Sequence, residues 1–190
     1  MFTDTPALIY FCEQLVRGGA TLLQYRNKTS TARVMLEQAR QVKRAFGQHA
    51  KLMMNDRADL CLEAEFDGVH VGQDDLSPQA VRQLLGPELW LGISTHNPEQ
   101  LAFADQLPVD YVAIGPVFPT SSKDRPDPVV GLEGVRTVRQ LTRKPLIAIG
   151  GITRSNCAQV VSSGADSVAV TSDLLPDPCK SAEEFFRVLR

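Results

Sequence analysis

Short apolar runs alternate with amphipathic segments along the whole chain. Ala20–Gln24, Lys51–Met54, Asp67–Val71, Leu89–Ile93, Tyr111–Ile114, Leu146–Ile149 and Ser167–Val170 read as seven strands, apolar enough to be buried on both faces. Helical spacing fills the intervals: Ile9–Val16, Thr29–Phe46, Ala58–Ala64, Pro78–Leu85, Pro98–Gln106, Leu132–Leu141, Asn156–Ser162 and Ser181–Leu189. Gly18-Gly19 and Gly86-Pro87 stop two of these helices, and Pro98 suits a first turn. Strands joined only through helices predict a parallel sheet with right-handed crossovers. Quasi-repeats agree: GGATLLQYR, EFDGVHVG, PVDYVAIGP and SGADSVAV each place a small or acidic residue before an apolar run. An eightfold barrel needs one more strand before Ile9, where only Phe2-Thr3-Asp4 is available. A doubly wound open sheet competes, but the glycine-rich G-x-G-x-x-G turn usual there is absent.

Polar residues collect where the strands end. In order these are Gln24 to Lys28, Asn55-Asp56-Arg57, His70 to Asp75, Ser94-Thr95-His96, Gly115 to Lys123, Gly150-Gly151 and Thr171-Ser172. In a parallel α/β sheet, ligands sit at the carboxyl ends of the strands, so these clusters share one mouth. Arg26 and Lys28 alternate along an extended segment, a spacing that lets both reach one anion. Gly150-Gly151 and Thr171-Ser172 are similar to the phosphate cradle that barrels build from their last two loops. Asp56 and Asp75 have two readings at this point. They are a pair of oxygen ligands for a hard divalent cation, or they cap the helices that follow them. His70 is either a ligand contact or a buried, hydrogen-bonded strand residue; His96 reads as a loop residue and His49 as a surface one.

Composition narrows the class. The 190 residues, 43% hydrophobic, suit one domain spanning 1–190. No run approaches the ~18 apolar residues of a membrane span, and the N-terminus lacks the basic-then-apolar plan of a signal peptide. A net charge of -2 gives no reason to expect nucleic acid or an anionic membrane as partner, so anion binding must come from local Arg and Lys. Cys12, Cys61, Cys157 and Cys179 form no C-x-x-C pair, which indicates neither zinc nor disulfides. The expectation is a reduced, cytoplasmic protein acting on small molecules, with room left for a homo-oligomer.

The strand-end motifs QYRNK, NDRADL, DGVHVGQDDL, GISTH, DYVAIGPVFPTSSK, PLIAIGGIT and GADSVAV resemble, in order and over nearly the whole chain, the family of thiamine phosphate synthase and its relative the thiazole tautomerase. The resemblance implies a (β/α)8 TIM barrel, here with a shortened first strand because only Met1-Phe2 precedes Thr3-Asp4. It implies a transferase of thiamine biosynthesis that joins hydroxymethylpyrimidine pyrophosphate to hydroxyethylthiazole phosphate and releases pyrophosphate with the help of Mg2+. By the same resemblance, Arg26, Lys28, Asn55, Ser94 and Lys123 hold the pyrophosphate. Arg26, Lys28, Ser94 and Lys123 carry the catalysis. Asp56 and Asp75 hold the magnesium, and Gln24 and His70 border the pyrimidine. Thr120, Ser122, Gly151, Thr171 and Ser172 receive the thiazole phosphate. Two rivals remain. A tautomerase would use neither pyrophosphate nor metal, which leaves the acid pair without a purpose. A phosphate-ligand-binding barrel without activity would keep the pockets and lose the chemistry.

Overall fold

Strand order follows chain order. The computed structural model describes residues 4–120 and 127–189; the expected first strand at Met1–Thr3, and Ser122 and Lys123, lie outside them. Seven parallel strands pair in the sequence β1 (Leu22–Tyr25), β2 (Lys51–Asn55), β3 (Gly68–Val71), β4 (Trp90–Thr95), β5 (Tyr111–Ile114), β6 (Leu146–Ile149) and β7 (Ser167–Ala169). Helices α1 (Thr5–Arg17), α2 (Ala32–Phe46), α3 (Ala58–Glu63), α4 (Pro78–Leu85), α5 (Pro98–Asp105), α6 (Gly131–Arg139), α7 (Cys157–Ser162) and α8 (Pro178–Leu189) alternate with them. This is the TIM-barrel plan that the alternation predicts. Two helices run further than their apolar spacing suggests, and capping explains both. The Asp4 carboxylate accepts from the Ala7 N–H and Asp177 from the Lys180 N–H, which carries α1 back to Thr5 and α8 back to Pro178.

Register sorts the strand residues onto two faces. Leu52, Met54, Val69, Val71, Leu91, Ile93, Val112, Ile114, Leu146 and Ala148 belong to one apolar cluster with the helices. Their alternates share rows on the other face, and one row reads Asn55, His70, Gly92, Tyr111 across four strands. No side chain at Gly92 could coexist with that row, because an added Cβ would lie 2.0 Å from the Tyr111 ring.

The acidic residue before alternate strands fixes this register. Asp67 donates its N–H to the Leu52 carbonyl (2.9 Å), and its carboxylate accepts the Leu52 N–H (2.8 Å). Asp110 does the same with Leu91 (2.8 and 2.7 Å), and Asp166 with Leu146 (2.9 and 2.7 Å). A cation from the helix preceding the clamped strand completes each clamp: Lys43 of α2, Arg82 of α4 and Arg139 of α6. Burial alone would raise the Asp67 pKa, but the Leu52 N–H, Lys43 and Lys51 outweigh it and hold the carboxyl below its ordinary value. Among the described residues no helix is long and apolar enough to cross a membrane.

Asp110→Ala leaves the fully buried Leu91 without an acceptor for its N–H and should cost about 1–3 kcal/mol, several degrees in melting temperature. Because folding lowers the Asp67 pKa, its ionised form stabilises the native state above the ordinary Asp range, about 3.9. That contribution is lost as pH falls through the lowered value. Chemical denaturation between pH 6 and pH 2 should show an acid loss of stability that is smaller in Asp67→Asn; parallel curves would contradict it.

Candidate functional site

Loop β1–α2 presents its cations by turning their neighbours inward. The Tyr25 hydroxyl donates to Gln38 Oε1 of α2 (2.6 Å), and buried Asn27 donates to Gln38 Oε1 (3.2 Å) and Ser30 Oγ (3.0 Å). The Asn27 side-chain carbonyl accepts from the N–H groups of Thr29 and Ser30, a local turn that holds the loop. With Tyr25 and Asn27 committed to the helix layer, Gln24, Arg26 and Lys28 fall on the opposite side. Lys28 Nζ reaches Asp56 Oδ2 at 2.9 Å, and Arg26 makes no ion pair among the described residues.

Neither Asp56 nor Asp75 caps a helix. Helix α3 is preceded by Arg57 with no side-chain cap, and Ser77 caps α4 through the Ala80 N–H. Asp56 instead has φ +61, left-handed backbone that non-glycine residues seldom adopt, while its N–H donates to the His70 carbonyl at 2.8 Å. The capping alternative is therefore corrected. Asp75 Oδ2 accepts the Gly72 N–H at 2.7 Å. Burial raises the Asp56 pKa first; the Lys28 hydrogen bond opposes this, and a close contact with Asp75 raises it further. Two carboxylates in contact, with Lys28 as their one ion-pair partner among the described residues, form a donor set that fits a hard divalent cation. Magnesium is commonly held by one or two carboxylates with water and phosphate oxygens completing the shell.

His70 and Ser94 meet directly. His70 Nε2 lies 2.8 Å from Ser94 Oγ, and Nδ1 lies 2.9 Å from the Tyr111 hydroxyl. Burial pushes the His70 pKa down to about 4, so the ring is neutral near pH 7; burial pushes the Tyr111 hydroxyl up. Gln73 donates to the Ser94 carbonyl at 2.6 Å. Asn55 ends β2 in register with His70. His96 is a loop residue, as expected, and it bridges two loops: Nδ1 lies 2.6 Å from the Gly115 carbonyl and Nε2 lies 3.4 Å from an Asp127 oxygen. His49 is exposed.

The second cluster is built from backbone. Gly150 and Gly151 have φ of +88 and +65, and a Cβ on Gly151 would lie 2.6 Å from the Pro119 carbonyl. Gly151 therefore packs directly under the loop that carries Thr120. The Gly151 carbonyl accepts from the Asn156 side chain. Thr171 and Ser172 are exposed, and a 3-10 turn at Ser172–Leu174 follows β7. Asp173 in that turn accepts from the Arg154 N–H and guanidinium, which ties the last two loops together. Arg154 is spent on Asp173 and Glu184, so among the described residues this cluster offers an anion backbone and hydroxyl donors. Ser122 and Lys123 lie outside the described residues. Sequence reasoning missed Tyr111, whose signal is an aromatic in register with a glycine on the neighbouring strand. It counted Asn27 among the mouth residues, whereas the structure buries it against Gln38, which has no signal short of the fold.

Fold and site together define a barrel whose mouth carries an acid pair, cations and a separate backbone-lined cradle. The family model for thiamine monophosphate synthase matches residues 3–174. A thiamine-phosphate synthase of Koribacter versatilis is 60% identical over 182 residues, covering 96% of this chain and 86% of that protein. One from Chlorobium phaeovibrioides is 42% identical, covering 94% and 87%. A solved thiamine phosphate pyrophosphorylase from Pyrococcus furiosus superposes with a TM-score of 0.87 at 30% identity, over 95% of this chain and 88% of that one. The chain belongs to the thiamine monophosphate synthase family.

An Asn side-chain oxygen can still accept the Gly72 N–H, and Asn at either position removes the contact between two carboxylates, so Asp56→Asn and Asp75→Asn should leave the melting temperature undiminished. Thermal unfolding followed by circular dichroism checks this; a clear fall in either variant would return that residue to a structural role.

Proposed function

We propose that the chain joins hydroxymethylpyrimidine pyrophosphate to hydroxyethylthiazole phosphate, giving thiamine phosphate and pyrophosphate. One observation carries the reading: Lys28, Asp56 and Asp75 form one charged cluster at the strand ends of a chain 60% identical to a thiamine-phosphate synthase. A tautomerase, which handles neither pyrophosphate nor metal, gives that cluster no purpose.

The chemistry asks little of the protein in proton transfer. The bond from the pyrimidine methylene carbon to the pyrophosphate oxygen breaks, and its electron pair leaves with pyrophosphate. The aminopyrimidine ring stabilises the resulting cation. The thiazole nitrogen then gives its lone pair to that carbon, which forms the C–N bond and leaves the positive charge on the thiazolium. Arg26, Lys28 and Ser94 donate to the departing pyrophosphate, joined in this reading by Lys123. Asn55 helps to orient it, and Gln24 and His70 border the pyrimidine. Asp56 and Asp75 would hold magnesium, which supplies charge neutralisation for the leaving group. Thr120, Ser122, Gly151, Thr171 and Ser172 hold the thiazole phosphate, so the two anions are kept apart and the nucleophile is aimed. Catalysis is then positioning and electrostatic stabilisation.

The direct test incubates both phosphorylated substrates with magnesium and measures pyrophosphate and thiamine phosphate in equal amounts. Asp56→Asn and Asp75→Asn should each lower the rate roughly a hundredfold or more. Lys28→Ala should weaken the pyrophosphate substrate more than the thiazole phosphate, and Ser172→Asp the reverse. No product from the unaltered chain would leave a phosphate-binding barrel; equal losses for both substrates would remove the two-pocket arrangement.

A further inference from the structure

The row Asn55, His70, Gly92, Tyr111 places a phenol where the proposed chemistry has no stated use for one. Tyr111 starts β5, two strands from His70, and its side chain would ordinarily stop short of β3. Gly92 on the intervening strand removes the obstacle: the Tyr111 ring occupies the space a Cβ there would need. The ring centroids of Tyr111 and His70 are 5.5 Å apart, and the hydroxyl ends 2.9 Å from Nδ1. Tyr111 is buried, and its hydroxyl has no other hydrogen-bond partner among the described residues.

That geometry decides where the protons sit. A buried phenol must give its proton to an acceptor or leave a donor unsatisfied. The acceptor within reach is His70 Nδ1, so the imidazole carries its own proton on Nε2. Nε2–H then donates to Ser94 Oγ, 2.8 Å away. With its oxygen accepting from His70, the Ser94 hydroxyl has its own proton to give elsewhere, and half-buried Ser94 at the end of β4 faces the mouth. The reverse chain would have Ser94 donating to Nε2 and Nδ1–H donating to the phenol. It would strand the Tyr111 proton and turn Ser94 into an acceptor facing an anion.

We propose that Tyr111 is a positioning residue: by donating to His70 Nδ1 through the gap at Gly92, it fixes the Nε2–H tautomer and makes the Ser94 hydroxyl a donor toward the diphosphate group. The proposal rests on the synthase reading for the identity of that anion, but the tautomer does not. Its test is therefore made first without substrate. In 15N-labelled protein, long-range proton–nitrogen correlation reads the tautomers of His49, His70 and His96, and His70→Gln identifies the His70 signals. His70 should be Nε2–H in the unaltered chain and in Ser94→Ala, because Tyr111 and not Ser94 sets it. In Tyr111→Phe it should shift toward Nδ1–H or a mixture, and kcat should fall about tenfold, the scale of one hydrogen bond, with the KM for thiazole phosphate unchanged. Nδ1–H at His70 in the unaltered chain, loss of the Nε2–H form in Ser94→Ala, or an unchanged kcat in Tyr111→Phe would each overturn the proposal. The first two read the tautomer directly and so fail or hold whether or not the chain makes thiamine phosphate.

Discussion

Strand register is the constraint on which everything else in this molecule depends. Side chains alternate along a strand, so a one-residue slip would turn a mouth residue into the helix layer and bring an apolar one out. The reciprocal pairs Asp67–Leu52, Asp110–Leu91 and Asp166–Leu146 oppose that slip, since each joins one residue to its neighbour by two hydrogen bonds at once. A cation from α2, α4 or α6 adds a helix to each joint. These clamps lie at the entry ends of the strands, away from the mouth. Stability and chemistry therefore occupy opposite ends of the same sheet, as barrel folds generally arrange them.

At the mouth the same register works for function. It sets His70 beside Asn55 on one side and opposite the gap at Gly92 on the other, so that Tyr111, His70 and Ser94 join in one chain of hydrogen bonds. Asp56 pays in backbone strain for its place, with φ +61, and gains contact with Lys28 and Asp75. The last two loops are built differently. There the chain turns on Gly150 and Gly151, and Arg154 is consumed in holding the loops together, so donors come from the backbone and from hydroxyls. Among the described residues, one half of the mouth is rich in formal charge and the other is poor in it. In the proposed reaction a diphosphate leaving group and a single phosphate make those two demands.

Much of this was legible in the sequence because parallel strands are short, apolar and punctuated. The seven strands and eight α-helices of the described residues were found there, and the quasi-repeated acids DG, DY and DS pointed to a recurring device without revealing what it does. Boundaries failed where capping overrode apolar spacing, at α1 and α8, and at α2, which starts at Ala32 behind the Thr31 cap and not at Thr29. The roles of Asp56 and Asp75 could not be separated by spacing alone, because an acid after a strand is equally well placed to cap or to bind; the observed caps remove the first reading and leave the second as a proposal. Tyr111 and Gln38 were missed, and Asn27 was placed in the mouth, because each acts through a partner distant in sequence, and only the packed sheet and helix bring those partners within reach.

In the proposed reaction Asp56 and Asp75 bind a divalent cation that the pyrophosphate side of the mouth requires. Calorimetric titration of the unaltered chain with inorganic pyrophosphate, with and without magnesium, tests it most directly. Binding should depend on magnesium and be lost in the Asp56→Asn, Asp75→Asn double variant. Equal binding with and without magnesium, retained in that variant, would contradict it.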